Sequence, residues 1–135
     1  MYKRQDISPN NVIIDENDIA ILLDFDNSRI DRGNKNSDTV LMGTKGFAAP
    51  EQAGYMATDA RGDIYSLGVL LNYMLTGKAV QNEIYKKTGL YNVISKAVKF
   101  DPEDRYCCID DFIDDLSVYC PNRIKTCLLY TSRCV

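Results

Sequence analysis

The sequence contains no histidine, no CxxC pair and no long run of one charge. Without histidine or a CxxC pair, the cysteines do not predict a zinc site. Their odd number and irregular spacing indicate free thiols in a reducing compartment, so we expect a cytoplasmic location. The alternative is a reactive thiol at Cys107 or Cys108, for which Arg105 is the nearby positive charge. The five cysteines occupy positions 107, 108, 120, 127 and 134.

Charge and hydrophobicity exclude further classes of protein. Sixteen basic and nineteen acidic residues leave a net charge of −3, which argues against a nucleic-acid partner. The longest apolar stretches, residues 19–23 and 67–71, are much shorter than the roughly 20 residues of a membrane helix. We therefore expect no membrane segment and no signal peptide here. With 135 residues, the chain can fill one core, as one domain or one lobe of a larger one.

The first third of the chain predicts strands and loops. Residues 12–14 and 19–23 are rich in β-branched side chains and are joined by a polar turn at 15–18, which indicates a hairpin. Residues 26–46 are polar with little periodicity and indicate a long surface loop. Loops of this length in compact domains usually carry function or are mobile.

Three longer helices and one short helix are predicted in the remainder. Apolar residues recur with a helical period over 61–76, up to the stop signal Gly77. This helix is apolar nearly all round, so we expect it in the centre of the fold. Further helices are predicted over 90–98 and 109–119, and a short helix among loops within 78–89. The expected inner face of the first helix comprises Ile64, Leu67, Gly68, Leu71, Met74 and Leu75.

The residues that suggest chemistry begin with Asp6 and Asn11. An Asp five residues before an Asn can hold an attacking hydroxyl beside a metal-bound phosphate, and a second Asp on a following hairpin, Asp24, can hold the same metal. Turn chemistry around Pro9 is the alternative, because Asx side chains cap backbone amides. The tripeptide at 49–51, Ala-Pro-Glu, follows.

Taken in this order, the motifs resemble the C-terminal lobe of a eukaryotic-type serine/threonine protein kinase of the sort also found in bacteria. The resemblance covers residues 4–116. It implies a mainly α fold with short β-hairpins, the C-terminal lobe of the α+β protein-kinase fold with the N-terminal lobe absent. Residues 1–126 would form this partial kinase domain, with catalytic loop, activation segment and helical subdomain.

The resemblance also implies ATP and Mg²⁺ as cofactors and a serine or threonine hydroxyl of a protein as substrate. Asp6 would orient this hydroxyl or accept its proton, and Asn11 and Asp24 would bind Mg²⁺ and the phosphates. Thr44 would hydrogen-bond toward Asp6 and mark hydroxyl substrates, although an ordinary turn threonine after Gly43 is an alternative.

Three further residues are implied in structural roles. Glu51 would form a buried ion pair with Arg105 and tie the activation segment to the helical core. Asp63 would accept amide N–H groups from the catalytic loop. A carboxylate favoured by the dipole at a helix N-terminus is the simpler interpretation of Asp63, and both can hold together.

The chain departs from the family pattern at three places. Arg4-Gln5 replaces the usual His-Arg, which weakens the expectation of control by activation-loop phosphorylation. Ser8, counted here with the catalytic positions, replaces a lysine that usually faces the transferred phosphate, so slower activity is expected. Asp26 replaces the glycine of Asp-Phe-Gly and should stiffen that turn.

Two alternatives to a catalytic kinase stay open. Because the sequence shows no Gly-rich loop, phosphate-pairing lysine or helix glutamate, we expect this chain alone to be inactive. A pseudokinase-like scaffold is favoured by Gln5, Ser8 and Asp26. A small-molecule phosphotransferase would share Asp6, Asn11 and Asp24, but the Ala-Pro-Glu segment argues against it.

Residues 127–135 need a separate explanation. Their beginning, Cys-Leu-Leu-Tyr-Thr-Ser, resembles the read-through of a transposon end used in preparing sequencing libraries. We expect a non-native, disordered sequencing-adapter tail, and a natural exposed tail is the alternative.

Overall fold

The computed structural model describes residues 2–3, 6–23, 29–30, 44–53, 59–87 and 89–119. Several sequence predictions lie outside these residues. They concern Arg4, Gln5, Asp24, Asp26, Gly43, most of the loop predicted at 26–46, and the tail at 127–135.

Two small antiparallel sheets precede three helices in the described part. Strand β1 (Tyr2–Lys3) pairs with β4 (Arg29–Ile30), and β2 (Val12–Ile14) pairs with β3 (Ala20–Leu22). The helices are α1 (Arg61–Thr76), α2 (Leu90–Ala97) and α3 (Ile109–Ser117). The predicted hairpin and the three longer predicted helices are confirmed, with ends shifted by two residues at most. None of the described helices has the length and hydropathy needed to cross a bilayer.

The β2–β3 hairpin is closed by the side chain of Asp15. Its Oδ1 accepts the backbone N–H groups of Asn17 and Ile19, each at 2.8 Å. Asp18 takes the left-handed conformation, with φ 62°, which Asp tolerates better than most residues. The N–H of Ile19, more than that of Asn17, lowers the pKa of Asp15. The hairpin directly follows residues 6–11, and the Leu23 N–H donates to the Asn11 carbonyl at 2.7 Å, so the hairpin holds the end of that segment in place.

Helix α1 lies between two apolar clusters, which confirms its predicted central position. One cluster contains Ile64 and residues of α2 and α3, and the other contains Val69 and the segment before α1. A Cβ on Gly68 would lie 2.7 Å from the Cβ of Ala97, so the absence of a side chain lets α1 and α2 approach closely. The buried members are Ile64, Val93, Ala97, Tyr106 and Phe112 in the first cluster, and Ala49, Tyr65 and Val69 in the second.

The last turn of α1 differs from the prediction. Met74 and Leu75, placed on the inner face from periodicity, are 67% and 39% exposed. The helix ends at Gly77, whose φ is 69° and whose N–H donates to the carbonyl of Tyr73 at 2.7 Å. The predicted stop is thus confirmed, while the inner face ends about one turn earlier than the pattern indicates.

The short helix predicted within residues 78–89 is wrong for the part of this range that the structure describes. Turns and extended backbone occur there instead, and the buried side chain of Asn72 supplies the reason. Its Nδ2 donates to the carbonyls of Lys78 (3.1 Å) and Glu83 (2.8 Å), and its Oδ1 accepts the N–H of Tyr85 at 2.8 Å. Backbone groups that a helix would pair internally are therefore satisfied by one side chain on α1.

Candidate active site

The carboxylate of Asp6 is held by residues from two distant parts of the chain. Its Oδ1 accepts the hydroxyl of Thr44 at 2.7 Å and the Thr44 backbone N–H at 3.0 Å. Its Oδ2 accepts Nδ2 of Asn11 at 3.0 Å. The side chain is partly buried, so these three bonds fix its orientation in a region that water only partly reaches.

One hydrogen-bonding position of this carboxylate is left over among the described residues. A carboxylate can accept about four hydrogen bonds, two on each oxygen. Oδ1 already has two donors from Thr44, whereas Oδ2 has one from Asn11. A hydroxyl that approaches Asp6 would therefore bind at Oδ2.

Asn11 is oriented by the same contacts. Its amide nitrogen donates both to Oδ2 and to the backbone carbonyl of Asp6, each at 3.0 Å. Because both partners are acceptors, the nitrogen must face Asp6 and the carbonyl oxygen Oδ1 must face away. A 3₁₀ turn at Pro9–Asn11, begun by Ser8 and Pro9, brings the Asn11 side chain back over Asp6. The turn around Pro9 that was considered as the alternative is therefore present, and it places the Asn11 side chain against the Asp6 carboxylate.

Ser8 lies directly beside this pair but is fully buried, with 0% exposure. Its hydroxyl oxygen has no hydrogen-bond partner among the described residues. An unpaired buried hydroxyl costs about 1–3 kcal/mol. The uncharged side chain thus brings no positive charge to the site, and its hydroxyl does not reach the protein surface in this structure.

The segment that carries Thr44 is anchored on α1. The Thr44 carbonyl accepts the N–H groups of Phe47 (2.9 Å) and Ala48 (3.1 Å), which forms a tight turn. The Phe47 carbonyl in turn accepts the hydroxyl of Ser66 at 2.9 Å. Through these hydrogen bonds, α1 sets the position of Thr44, which in turn holds Asp6. Ser66 was not singled out from the sequence, where a serine inside an apolar helix gives no distinct signal.

Glu51 and Arg105 form a fully buried, bidentate ion pair. Nη1 of Arg105 lies 2.7 Å from Oε1 of Glu51, and Nη2 lies 2.8 Å from Oε2. Both side chains are 0% exposed. The remaining donors of the guanidinium bind the carbonyls of Lys99, Phe100 and Arg61 at 2.7, 2.9 and 3.1 Å. All five N–H groups are used, so Arg105 joins residue 51 to the start of α1 and to the chain after α2.

The start of α1 carries Asp63 and Arg61. Asp63 lies in the first turn, where a carboxylate is favoured by the helix dipole; its predicted bonds to catalytic-loop amides stay a prediction. Arg61 bridges Asp59 at 2.7 Å and Glu103 at 2.9 Å. These carboxylates, Glu103 first, raise the pKa of the Arg61 guanidinium. Arg61 is a second cationic link in this region that the sequence analysis did not identify.

Comparisons with known proteins agree on one family. The family model of the protein kinase domain matches residues 3–129. The chain is 37% identical over 114 residues to the LRR receptor-like serine/threonine-protein kinase ERL1 of Arabidopsis thaliana, covering 78% of this chain and 12% of that protein. It is 29% identical over 136 residues to a probable serine/threonine-protein kinase of Clostridium acetobutylicum (84% and 21%). It is 39% identical over 77 residues to the serine/threonine-protein kinase PknB of Mycolicibacterium smegmatis (55% and 12%).

The matches differ in how much of each protein they cover. The aligned part of the chain spans between 12% and 21% of the length of these three relatives. The plant relative is named as a receptor-like kinase, and the two bacterial relatives are named as serine/threonine-protein kinases.

Proposed function

Because the chain belongs to the protein kinase domain family, with bacterial serine/threonine kinases among its relatives, we propose that residues 1–126 are the C-terminal lobe of such a kinase. The complete enzyme transfers the γ-phosphate of ATP to a serine or threonine hydroxyl of a protein. The observation that carries this proposal is the Asp6 carboxylate, held on one oxygen by Thr44 and on the other by Asn11.

In the proposed reaction, Asp6 binds the substrate hydroxyl at Oδ2, where one acceptor position is left. A carboxylate suits this role, because phosphoryl transfer through a loose transition state needs a well-placed nucleophile more than a strong base. The proton of the hydroxyl moves to Oδ2 as its oxygen bonds to the γ-phosphorus of ATP, while the bond from that phosphorus to the bridging oxygen breaks and ADP leaves. Thr44 keeps the carboxylate from rotating, so it acts as a positioning residue.

The donor set fits a hard divalent cation. The Asn11 carbonyl oxygen faces away from Asp6 and is available as a neutral oxygen ligand, the type that Mg²⁺ prefers. Asp24 is proposed as the carboxylate ligand, and it lies outside the described residues. When bound, Mg²⁺ neutralises charge on the phosphates of ATP. What this chain contributes is the orientation of Asn11 by Asp6, which ties the metal ligand to the residue that holds the nucleophile.

Two features set the expected rate. Ser8, proposed at the position of the phosphate-facing lysine, is uncharged and buried, so it removes one positive charge that would stabilise the transferring phosphoryl group. The ATP-clamping residues of the N-terminal lobe have no counterpart in the sequence. We therefore expect the 135-residue chain alone to be inactive, and the complete kinase domain to be active but slow. A cytoplasmic location for this domain is part of the proposal.

The test is an assay of the complete reading frame from the source DNA. We expect it to encode an N-terminal lobe with a Gly-rich loop and a strand lysine, and its product to transfer radiolabelled γ-phosphate from ATP to a Ser/Thr protein such as casein when Mg²⁺ is present. Asp24→Asn should abolish transfer with Mg²⁺. The matched control Asp18→Asn, in the hairpin turn, should leave it unchanged. Absence of transfer by a folded product that binds Mg²⁺ and ATP would contradict the proposal.

A scaffold function is the second candidate, and the buried Ser8 is the observation that favours it. A pseudokinase has no need for a charged group at that position. The same assay separates the two functions, because a scaffold would show no phosphate transfer in the complete protein and no dependence on Asp24.

A further inference from the structure

A cluster of three metal-binding side chains lies at the start of α3, outside the proposed active site. Cys107 and Cys108 immediately precede the helix, and Asp111 lies in its first turn. Their two sulfur atoms and one carboxylate oxygen all lie within 4.8 Å of one another. The Cys107 thiol donates to Oδ2 of Asp111 at 3.0 Å.

We propose that Cys107, Cys108 and Asp111 bind one thiophilic divalent cation, with Zn²⁺ as the physiological candidate, through two sulfur atoms and one oxygen. In a tetrahedral zinc site with bonds of about 2.3 Å to sulfur and about 2.0 Å to oxygen, neighbouring ligand atoms are roughly 3.5–3.8 Å apart. The Cys107 sulfur and the Asp111 oxygen are 3.0 Å apart and all three atoms lie within 4.8 Å of one another, so small side-chain movements would bring them to that spacing.

The chemistry of the ligands selects the class of metal. Two thiolates favour Zn²⁺ or Cd²⁺ over Mg²⁺, whose ligands are oxygen atoms. On binding, both thiols lose their protons to the buffer and each sulfur forms one bond to the metal. Cys107 and Asp111 are exposed and Cys108 is partly exposed, so a metal ion can enter and a water molecule can fill the fourth position.

Sequence spacing alone does not reveal this cluster. Adjacent cysteines lack the two-residue gap of the usual zinc motifs, and the sequence has no histidine, which is why no zinc site was expected. The structure changes this expectation, because the turn before α3 places Asp111 within reach of both thiols. Among the described residues, this is the one group of three or more metal-ligating side chains that converges in this way.

The experiment is a titration of the complete, reduced chain with Cd²⁺, followed by the ultraviolet absorbance of cadmium–thiolate bonds, and a competition with Zn²⁺. The other cysteines, at 120, 127 and 134, are replaced by serine, so that only the adjacent pair can respond. We expect one Cd²⁺ per chain, displaced by Zn²⁺ and not by Mg²⁺. A Zn²⁺-dependent rise in the thermal midpoint gives a second readout.

Variants assign the ligands. Cys107→Ser or Cys108→Ser should weaken binding by at least about 100-fold, since even loss of a residue that only supports a ligand costs about 10–100-fold. Asp111→Asn should weaken it by roughly tenfold or more, while the neighbouring exposed carboxylate variant Asp110→Asn should bind as the parent does. Circular dichroism checks that each variant is folded.

Three results would overturn the proposal. The first is no thiolate absorbance with the parent chain under reducing conditions. The second is binding that survives loss of Cys107 or Cys108, which would place the metal elsewhere. The third is equal affinity in the Asp111→Asn and Asp110→Asn variants, which would remove the carboxylate from the ligand set.

Discussion

Replacing Glu51 by Gln should destabilise the protein strongly, although the two side chains have almost the same shape. The change removes the negative charge that faces Arg105 and leaves the guanidinium charged inside a site where both side chains are 0% exposed. The amide NH₂ of Gln also turns a donor toward an Arg105 N–H. Breaking a buried pair on one side costs about 3–5 kcal/mol, a large share of a total stability of about 5–15 kcal/mol.

The size of the effect depends on which partner is removed. Arg105→Met should cost more than Glu51→Gln, because it leaves the Glu51 carboxylate unpaired and also takes a donor from the carbonyls of Lys99, Phe100 and Arg61. Each such buried group costs about 1–3 kcal/mol when it loses its partner. Restoring apolar character on both sides, with Met at 51 and 105, should recover only part of the loss.

The assay is urea unfolding followed by circular dichroism, in parallel with thermal unfolding. At roughly 3–6 °C per kcal/mol for a domain of this size, a loss of about 3–5 kcal/mol means that Glu51→Gln should lower the thermal midpoint by roughly 9–30 °C. The matched control is Glu83→Gln, which breaks the exposed pair with Lys78 at 2.6 Å and should cost about 0–1 kcal/mol. If Glu51→Gln lowers the free energy of unfolding no more than this control does, the buried pair does not hold the segment around Glu51 against the helices.

Other parts of the fold give three further predictions. Gly68→Ala should destabilise by about 1–3 kcal/mol through overpacking, since the new Cβ would lie 2.7 Å from that of Ala97; a gain in stability on urea unfolding would contradict the close helix approach. Asn72→Ala should cost about 1–3 kcal/mol for each backbone group left unpaired and should speed hydrogen exchange at the Tyr85 amide. An unchanged exchange rate would show that the Asn72 side chain does not protect this amide. Because the pKa of Asp15 lies below its usual 3.8, its stabilisation of the hairpin turn is present above that value and is lost as the pH falls through the lowered pKa; an NMR titration that places the Asp15 midpoint at or above 3.8 would refute this.

The sequence predicted the elements of the fold well where local patterns decide the structure. The helical period and Gly77 located α1, and the polar turn at 15–18 located the hairpin, because Asp15 closes that turn with its own side chain. Residues 78–87 were predicted poorly, since their backbone groups are satisfied by Asn72, a residue on α1. The exposure of Met74 likewise depends on which distant residues pack against α1, and periodicity does not contain that information.

The members of the candidate site and two of its contacts, Thr44 with Asp6 and Glu51 with Arg105, were predicted through the family resemblance, whereas its other contacts were not. Asp6 and Asn11 are close in sequence, whereas Thr44 lies 38 residues after Asp6, and only the resemblance to a family connected them. No pattern in the chain indicated that Ser8 is completely buried, that Ser66 anchors the Thr44 segment, or that all five donors of Arg105 are used. Each of these depends on distant parts of the chain meeting in the folded state.

The most direct test of the central claim is the single-turnover rate of phosphate transfer in the complete kinase with Thr44→Val, Thr44→Ser and Asp6→Asn. Asp6→Asn should nearly abolish transfer, and it should also weaken Mg²⁺-ATP binding, because Asn11 loses the carboxylate that orients it. Thr44→Val should slow transfer by up to about 100-fold through misplacement of the carboxylate, and Thr44→Ser, which keeps the hydroxyl bond to Oδ1, should restore most of the rate. Transfer that continues at the parent rate in the folded Asp6→Asn protein would contradict the role assigned to Asp6.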